Sequence, residues 1–266
     1  MLNHWFWVVM FRYPKLRIFL TRLFVPEREM DIHIFGAPLH INTRDEIGLW
    51  RANRSAEGNI IFREEVATLL NLALLLQPGD VFIDVGANVG LYSSVLARYR
   101  HLFPASKFIA IEANPETADR LRLSVAGAEV EILNIGASDK AAELAFIGGV
   151  TSGVFKVAST DQRDGLVKIR CERLDALPLP AGDLVLKIDV EEHELPVLNG
   201  AARLFEEQRI KVVYLDGYSS KTIPDLLRAQ GFSLFNGRTL VPCPVAPPEI
   251  SLLAVHRTRL PLGNES

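Results

Sequence analysis

The chain has 266 residues, 48% of them apolar and 23% charged, with a formal net charge of −3. That length holds one sizeable core plus an appendage, and the slightly acidic balance leaves no basic face for nucleic acid as a bulk partner. Two cysteines, Cys171 and Cys243, with no C-x-x-C spacing, give no basis for a disulfide framework or a zinc knuckle and fit a reducing, cytoplasmic setting.

Trp5 to Phe11 is an unbroken apolar run, far short of the ~20 residues that span a bilayer. No basic residue precedes it and no small-residue cleavage site comes after it, unlike a signal peptide. Leu16, Phe19, Leu20, Leu23 and Phe24 then fall on one helical stripe, beside Arg12, Lys15, Arg17 and Arg22. The pattern suits a basic amphipathic helix lying on an anionic membrane surface, which would place residues 5–25 peripherally at the membrane. A helix capping the domain, or a contact in a homo-oligomer, has the same pattern.

Residues 31–41 alternate apolar and polar around Gly36-Ala37-Pro38 and predict a hairpin. Residues 44–58 are polar and mixed, and read as loop with a helical turn. Residues 64–76 read as a helix with Val66, Leu69, Leu70, Ala73 and Leu76 on one face, ended by Pro78-Gly79. This front part, 1–76, is expected to cover a cleft in the remainder of the chain rather than to fold alone.

From Val81 strands and helices alternate, which predicts an α/β fold, a mostly parallel sheet with helices on both faces. The strands are expected at 81–85, 107–111, 130–135, 184–188 and 211–215, and the helices at 91–99, 115–125, 195–206 and 222–230. Between 136 and 174 the rhythm breaks into short extended pieces (143–146, 154–157, 167–170), read as a small antiparallel β insertion beside the cleft. Segments 232–235 and 252–255 would close the sheet as a hairpin around the Pro-rich loop 242–248. The domain is expected to run over 77–258, and 259–266 to trail as a loose tail.

The chemistry sits at the strand ends, where open α/β sheets bind ligands. The first strand carries Asp84 and runs into Gly86, Ala87, Asn88, Val89 and Gly90. The dinucleotide fingerprint G-x-G-x-x-G needs glycine where Asn88 and Leu91 stand, which argues against a pyrophosphate on the helix N-terminus. The second strand ends at Glu112, with Ala113 and Asn114 next, an acid placed to accept both hydroxyls of a ribose. The third ends in Ser138 and Asp139, able to accept from an adenine amino group or simply to make a turn. The fourth runs from Lys187 into Asp189, Glu191, Glu192, His193 and Glu194. Glu192 and Glu194 suit the acidic first turn of a helix, which leaves Asp189 unexplained. Asp189 and Asp216, at the ends of the fourth and fifth strands, are oxygen ligands of the kind magnesium takes, but without a third ligand they make no assigned metal site.

DVGANVG, IEANP, GASDK and LKIDVE…E, in this order and spacing, resemble the FkbM family of methyltransferases over roughly 78–231. The resemblance implies a Rossmann-like methyltransferase fold with seven main strands, S-adenosylmethionine as donor, and hydroxyl groups of sugars, glycolipids, polysaccharides or secondary metabolites as acceptors. It places the first motif on Asp84, Gly86, Asn88 and Gly90, the ribose acid on Glu112, the adenine side on Ser138 and Asp139, and the late signature on 188–194. There the chain departs from the family pattern. Glu192 stands where glycine is usual, His193 where a small residue is usual, and Asp216 where Glu commonly ends the fifth strand. An O-methyl transfer would take its base from Asp189, Glu191 or His193, with Asp189 or Glu191 favoured over the atypical His193. A nucleotide-dependent oxidoreductase on a similar sheet, and a non-catalytic methyltransferase-like scaffold at a membrane, are the rival readings.

Overall fold

The computed structural model describes residues 25–54, 60–147, 156–158, 166–243 and 251–260. The basic stripe expected before Val25 and most of the Pro-rich loop lie outside the described residues. Strands β1 (Glu29–Ile34) and β2 (Ala37–Asn42) form the expected hairpin. Its turn is Phe35-Gly36, both with positive φ, as a tight two-residue hairpin turn requires.

Helices α1 (Ile47–Arg54) and α2 (Ile60–Leu75) come next. Then come β3 (Val81–Val85), α3 (Leu91–Arg98), β4 (Lys107–Ile111), α4 (Pro115–Ser124) and β5 (Val130–Leu133). The insertion holds β6 (Gly136–Ala137), β7 (Ala142–Ile147), β8 (Lys156–Val157) and β9 (Leu166–Glu172). The chain returns through β10 (Leu184–Ile188), α5 (Glu194–Asn199), α6 (Ala202–Glu206), β11 (Ile210–Leu215), α7 (Ile223–Ala229), β12 (Phe232–Asn236) and β13 (Leu252–His256).

The main sheet has seven strands in the order β5-β4-β3-β10-β11-β13-β12, and only β13 runs against its neighbours. This is the mostly parallel seven-stranded sheet, with helices on both faces, that the sequence led one to expect. Its central strands are continuous apolar runs because both faces are covered. On one face Ile83, Leu186 and Val213 pack under Val197, Leu204 and Leu227 of α5, α6 and α7. On the other, Phe82, Val185 and Val212 meet Leu39 of the hairpin, Leu72 of α2 and Leu96 of α3. The hairpin thus shares the apolar cluster of the sheet.

Strand periodicity puts Asp84, Lys187 and Tyr214 on the face of Phe82, Val185 and Val212. The register sets Lys187 directly between Asp84 and Tyr214, a polar row across β3, β10 and β11. The row lies near the C-terminal ends of the strands, beneath α2 and α3. The order of the sheet reverses between β3 and β10, and a cleft opens at that switch point.

Several expectations need correction. Residues 44–58 contain a full helix, α1, where only a turn was expected. Leu70 is 58% exposed, because the buried face of α2 turns through Leu69, Leu72 and Leu76 instead. The helix expected over 195–206 breaks at Gly200, where an added Cβ would stand 2.0 Å from the Ser138 carbonyl oxygen. The third strand stops at Leu133 rather than 135, and β6 pairs with β9 in parallel, so the insertion is not wholly antiparallel. The tail is tied down at its start, since the Arg259 side chain is 6% exposed and ion-paired with Asp80 at 2.8 Å and Asp183 at 3.1 Å.

Candidate active site

The turn after β3 is built around close backbone approach. Gly86 has φ +77°, and a Cβ there would lie 2.0 Å from the carbonyl oxygen of Asp189. The Asp189 N–H donates to the Val85 carbonyl at 2.9 Å, so the ends of β3 and β10 are bound together. Asn88 has φ +52°, a left-handed conformation that asparagine tolerates better than most residues. Gly90 opens α3 at φ +87°, with the Leu121 side chain 2.5 Å from where its Cβ would be, so it seats α3 against α4.

Glu112 is drawn into this turn. Its Oε2 accepts the Asn88 N–H and its Oε1 the Asn114 N–H, both at 2.8 Å. Burial outweighs these two bonds and pushes its carboxyl up to about 7. Beside it, Asn88 Oδ1 is buried without a hydrogen-bond partner.

Two cavities meet at the turn. The first, about 100 Å³, has Glu112, Asn88 and His193 on its polar side and Ile135, Phe146 and Val157 on its apolar side. The second, about 300 Å³, is walled by Glu46, Glu65, Tyr92, Lys187 and Asp189. Gly86, Asn88 and Asp189 belong to both.

The second cavity holds dense charge. Lys187 is 2% exposed, and its Nζ lies 3.3 Å from Asp84 Oδ1, 3.2 Å from Asp189 Oδ2 and 4.6 Å from the centre of the Tyr92 ring. Burial alone would lower the ammonium's proton affinity. Asp84 and Asp189, with Glu65 and Asp216 behind them, outweigh that and hold it charged. The Tyr92 hydroxyl donates to Glu65 Oε2, and burial raises the Glu65 carboxyl against that bond and the Lys187 charge. One helical turn along α2, Thr68 Oγ1 meets the Tyr214 hydroxyl at 2.9 Å. Asp45 and Glu46 at the cavity's far wall both accept from the buried Arg120, which ties the front of the chain to α4.

The sequence-predicted residues divide accordingly. Gly86, Asn88, Glu112, Ala113, Asp189, Glu191 and His193 line the first cavity, and Ala87 lines the second. Asp84 is fully buried behind the turn, accepting from Ser93 Oγ at 2.8 Å, and lines neither. Asn114 caps α4 by accepting the Glu116 N–H. Ser138 turns away to hydrogen-bond His193 Nε2 at 3.0 Å, and Asp139 is exposed, its carbonyl held by Arg173. Neither residue lines the first cavity, where Gly136, Ala137 and the apolar Phe146 and Val157 of the insertion stand. Of the three candidate bases only Asp189 reaches the second cavity, and burial lowers the His193 imidazole. Among the described residues no three His, Cys, Asp or Glu side chains cluster as a metal would need. Asp216 instead accepts from Ser251 Oγ at 2.9 Å. Sequence reasoning missed Glu65, Tyr92, Phe146 and Val157; only the topology brings them to the cleft.

Glu192 holds φ +60°, which explains why glycine suits this position. Glu192→Gly relieves left-handed strain but loosens the unfolded chain, so it is expected to be neutral or to stabilise by up to ~1 kcal/mol. Denaturant unfolding checks this, in contrast to the destabilisation that most substitutions bring.

An unpartnered buried acceptor, a carboxylate at the cavity wall and an apolar slot together fit a ribonucleoside with a cationic tail. The hydroxyls suit Glu112, the flat base suits the slot, and a donor group suits Asn88 Oδ1.

Residues 84–234 match the methyltransferase FkbM domain family. A curated relative, the hexuronic acid methyltransferase AglP of Haloferax volcanii, is 29% identical over 157 residues, covering 56% of this chain and 61% of the relative. The chain thus spans less than two thirds of the length of the curated relative it matches. Among solved structures, a TehB-like SAM-dependent methyltransferase from Corynebacterium glutamicum is 13% identical, with a TM-score of 0.45 over 80% of this chain and 96% of that one. The TYW2 protein of M. jannaschii, in complex with AdoMet, is 12% identical, with a TM-score of 0.43 over 87% of this chain and 86% of that one. Among the described residues, no helix is long and apolar enough to cross a membrane.

Proposed function

The chain belongs to the FkbM family of S-adenosylmethionine-dependent methyltransferases, and from that premise we propose that it methylates a hydroxyl of a sugar, free or within a glycolipid or polysaccharide. The observation that carries this reading is the junction of the two cavities at Gly86, Asn88 and Asp189. In this reading the first cavity takes the donor. Glu112 holds the ribose, the turn at Gly86 and Asn88 holds the methionine end, and Phe146 and Val157 face the base. The donor supplies an electrophilic methyl group on a sulfonium. The chain's own residues align an acceptor oxygen with it, and alignment of this kind supplies up to roughly 7–11 kcal/mol.

The second cavity's walls favour a polyhydroxyl acceptor. Carboxylates at Glu65 and Asp189 can accept hydrogen bonds from hydroxyls, Glu46 being taken up by Arg120 and the Asn42 N–H, and the cations Arg120 and Lys187 already face carboxylate partners. That the curated relative is named for a hexuronic acid supports a sugar acceptor. The test is methyl transfer from labelled S-adenosylmethionine into a fractionated cell extract. Label is expected in a glycan or glycolipid fraction as a methyl ether that survives mild alkali. Label released as methanol would mean a carboxyl acceptor, and no transfer into any fraction would overturn the reading.

A further inference from the structure

We propose that Glu65, delivered by α2 ahead of the nucleotide-binding unit, receives the acceptor's proton, and that Tyr92 is the positioning residue that aims it. The proposal rests on the functional reading above and names the base within that site. Glu65 stands in the wall of the second cavity with Asp189, Lys187 and Tyr92. Asp189 is the alternative, and burial raises its carboxyl too, but its Oδ2 is already ion-paired with Lys187 Nζ at 3.2 Å, so that oxygen is held by a cation rather than left to an acceptor. Glu65 accepts instead from a neutral phenol, the Tyr92 hydroxyl, and its burial strengthens it as a base. Lys187 beneath the Tyr92 ring fixes that phenol in turn.

In the step, the acceptor oxygen bonds to the methyl carbon as the carbon–sulfur bond breaks. That bond's electron pair stays on sulfur, and the hydroxyl proton passes to a Glu65 oxygen. Asp189 orients the acceptor at the junction.

The charged and titratable groups facing Glu65 are Tyr92 on α3, Lys187 on β10, Asp189 beyond it, Tyr214 on β11 and Asp216 beyond that. Asp45 and Glu46, paired with Arg120, complete the same cavity. The experiment measures methyl transfer to the glycan fraction that the wild-type protein labels, from pH 5 to 9, with donor affinity by calorimetry in parallel. With S-adenosylmethionine saturating at every pH, so that the titration of Glu112 does not enter, Glu65→Gln is expected to lower transfer by about 10²–10⁴-fold, to keep donor affinity within about threefold, and to abolish the acid limb of the pH profile. Glu65→Asp should restore part of the rate and the limb. Tyr92→Phe removes a hydrogen bond that favours the carboxylate, so its limb should move to higher pH. Transfer by Glu65→Gln at more than a third of the wild-type rate, or donor affinity lost in step with rate, overturns the assignment. Absence of transfer by the wild-type protein would instead overturn the functional reading, and this assignment with it.

Discussion

Gly86→Ala is expected to destabilise the protein by about 3–6 kcal/mol, from left-handed strain on a non-glycine residue together with overpacking. The added Cβ would meet backbone: the Asp189 carbonyl oxygen at 2.0 Å and its carbon at 2.9 Å. Backbone at a strand end cannot swing aside as a side-chain tip does. Either β3 and β10 separate, which breaks the Asp189 N–H bond to Val85, or Asp189 is driven from the junction. Both outcomes should cut donor binding by more than about 100-fold, at about 1.4 kcal/mol per tenfold. Gly79→Ala is the control. Gly79 has φ +83°, nearly the same conformation, and nothing lies within 4 Å of its would-be Cβ. It should cost only the conformational part, about 1–3 kcal/mol, and leave donor affinity intact. Thermal unfolding and calorimetry of the two variants separate the collision from the strain.

Lys187→Met is expected to destabilise by about 3–5 kcal/mol, since it leaves a buried carboxylate without its cation. Asp84 is 0% exposed, and Lys187 is the cation that faces it. Asp84→Asn removes the charge while keeping an oxygen for the Ser93 hydroxyl. The double variant Asp84→Asn, Lys187→Met should therefore recover much of the loss, giving a coupling of at least about 2 kcal/mol in a double-mutant cycle. Additive losses would show that the two side chains do not act as a pair. Asp189 loses the same cation in Lys187→Met, so methyl transfer should fall more than stability alone explains.

The sheet was legible in the sequence because its central strands are short apolar runs punctuated by Gly, Pro and acids. VFIDV and LVLKI can be buried on both faces and little else. Part of the first cavity's lining was legible for a related reason: Gly86, Asn88 and Glu112 sit at strand ends, where a parallel sheet opens its cleft. The polar row was half visible. Lys187 and Asp189 stood out, but Asp84 was visible only as part of the turn motif, and its pairing with Lys187 comes from the register of β3 against β10. Glu65 and Tyr92 gave no local sign, since 27 residues separate them and only the packing of α2 over α3 joins them. Phe146 and Val157 were equally silent, as apolar residues of a small sheet whose place beside Glu112 comes from β6 pairing with β9. The need for glycine at position 200 was hidden too, because it comes from the Ser138 carbonyl pressed against it, a tertiary contact that helical periodicity cannot register.

The proposed activity turns on Glu112 gripping the donor's ribose as a carboxylate. The decisive experiment is calorimetric titration of S-adenosylmethionine into the wild-type protein and Glu112→Gln, between pH 5.5 and 7.5. The wild-type carboxyl, raised by burial to about 7, is protonated at the lower end and charged at the upper, so affinity should climb with pH through that value. His193, whose imidazole burial holds below its ordinary value, shares the cavity. Glu112→Gln should bind about 10- to 150-fold more weakly at pH 7.5, the worth of hydrogen bonds to a charged group, and show no rise at 7. Undiminished affinity in that variant, with the same pH dependence, would rule out a ribose held by Glu112.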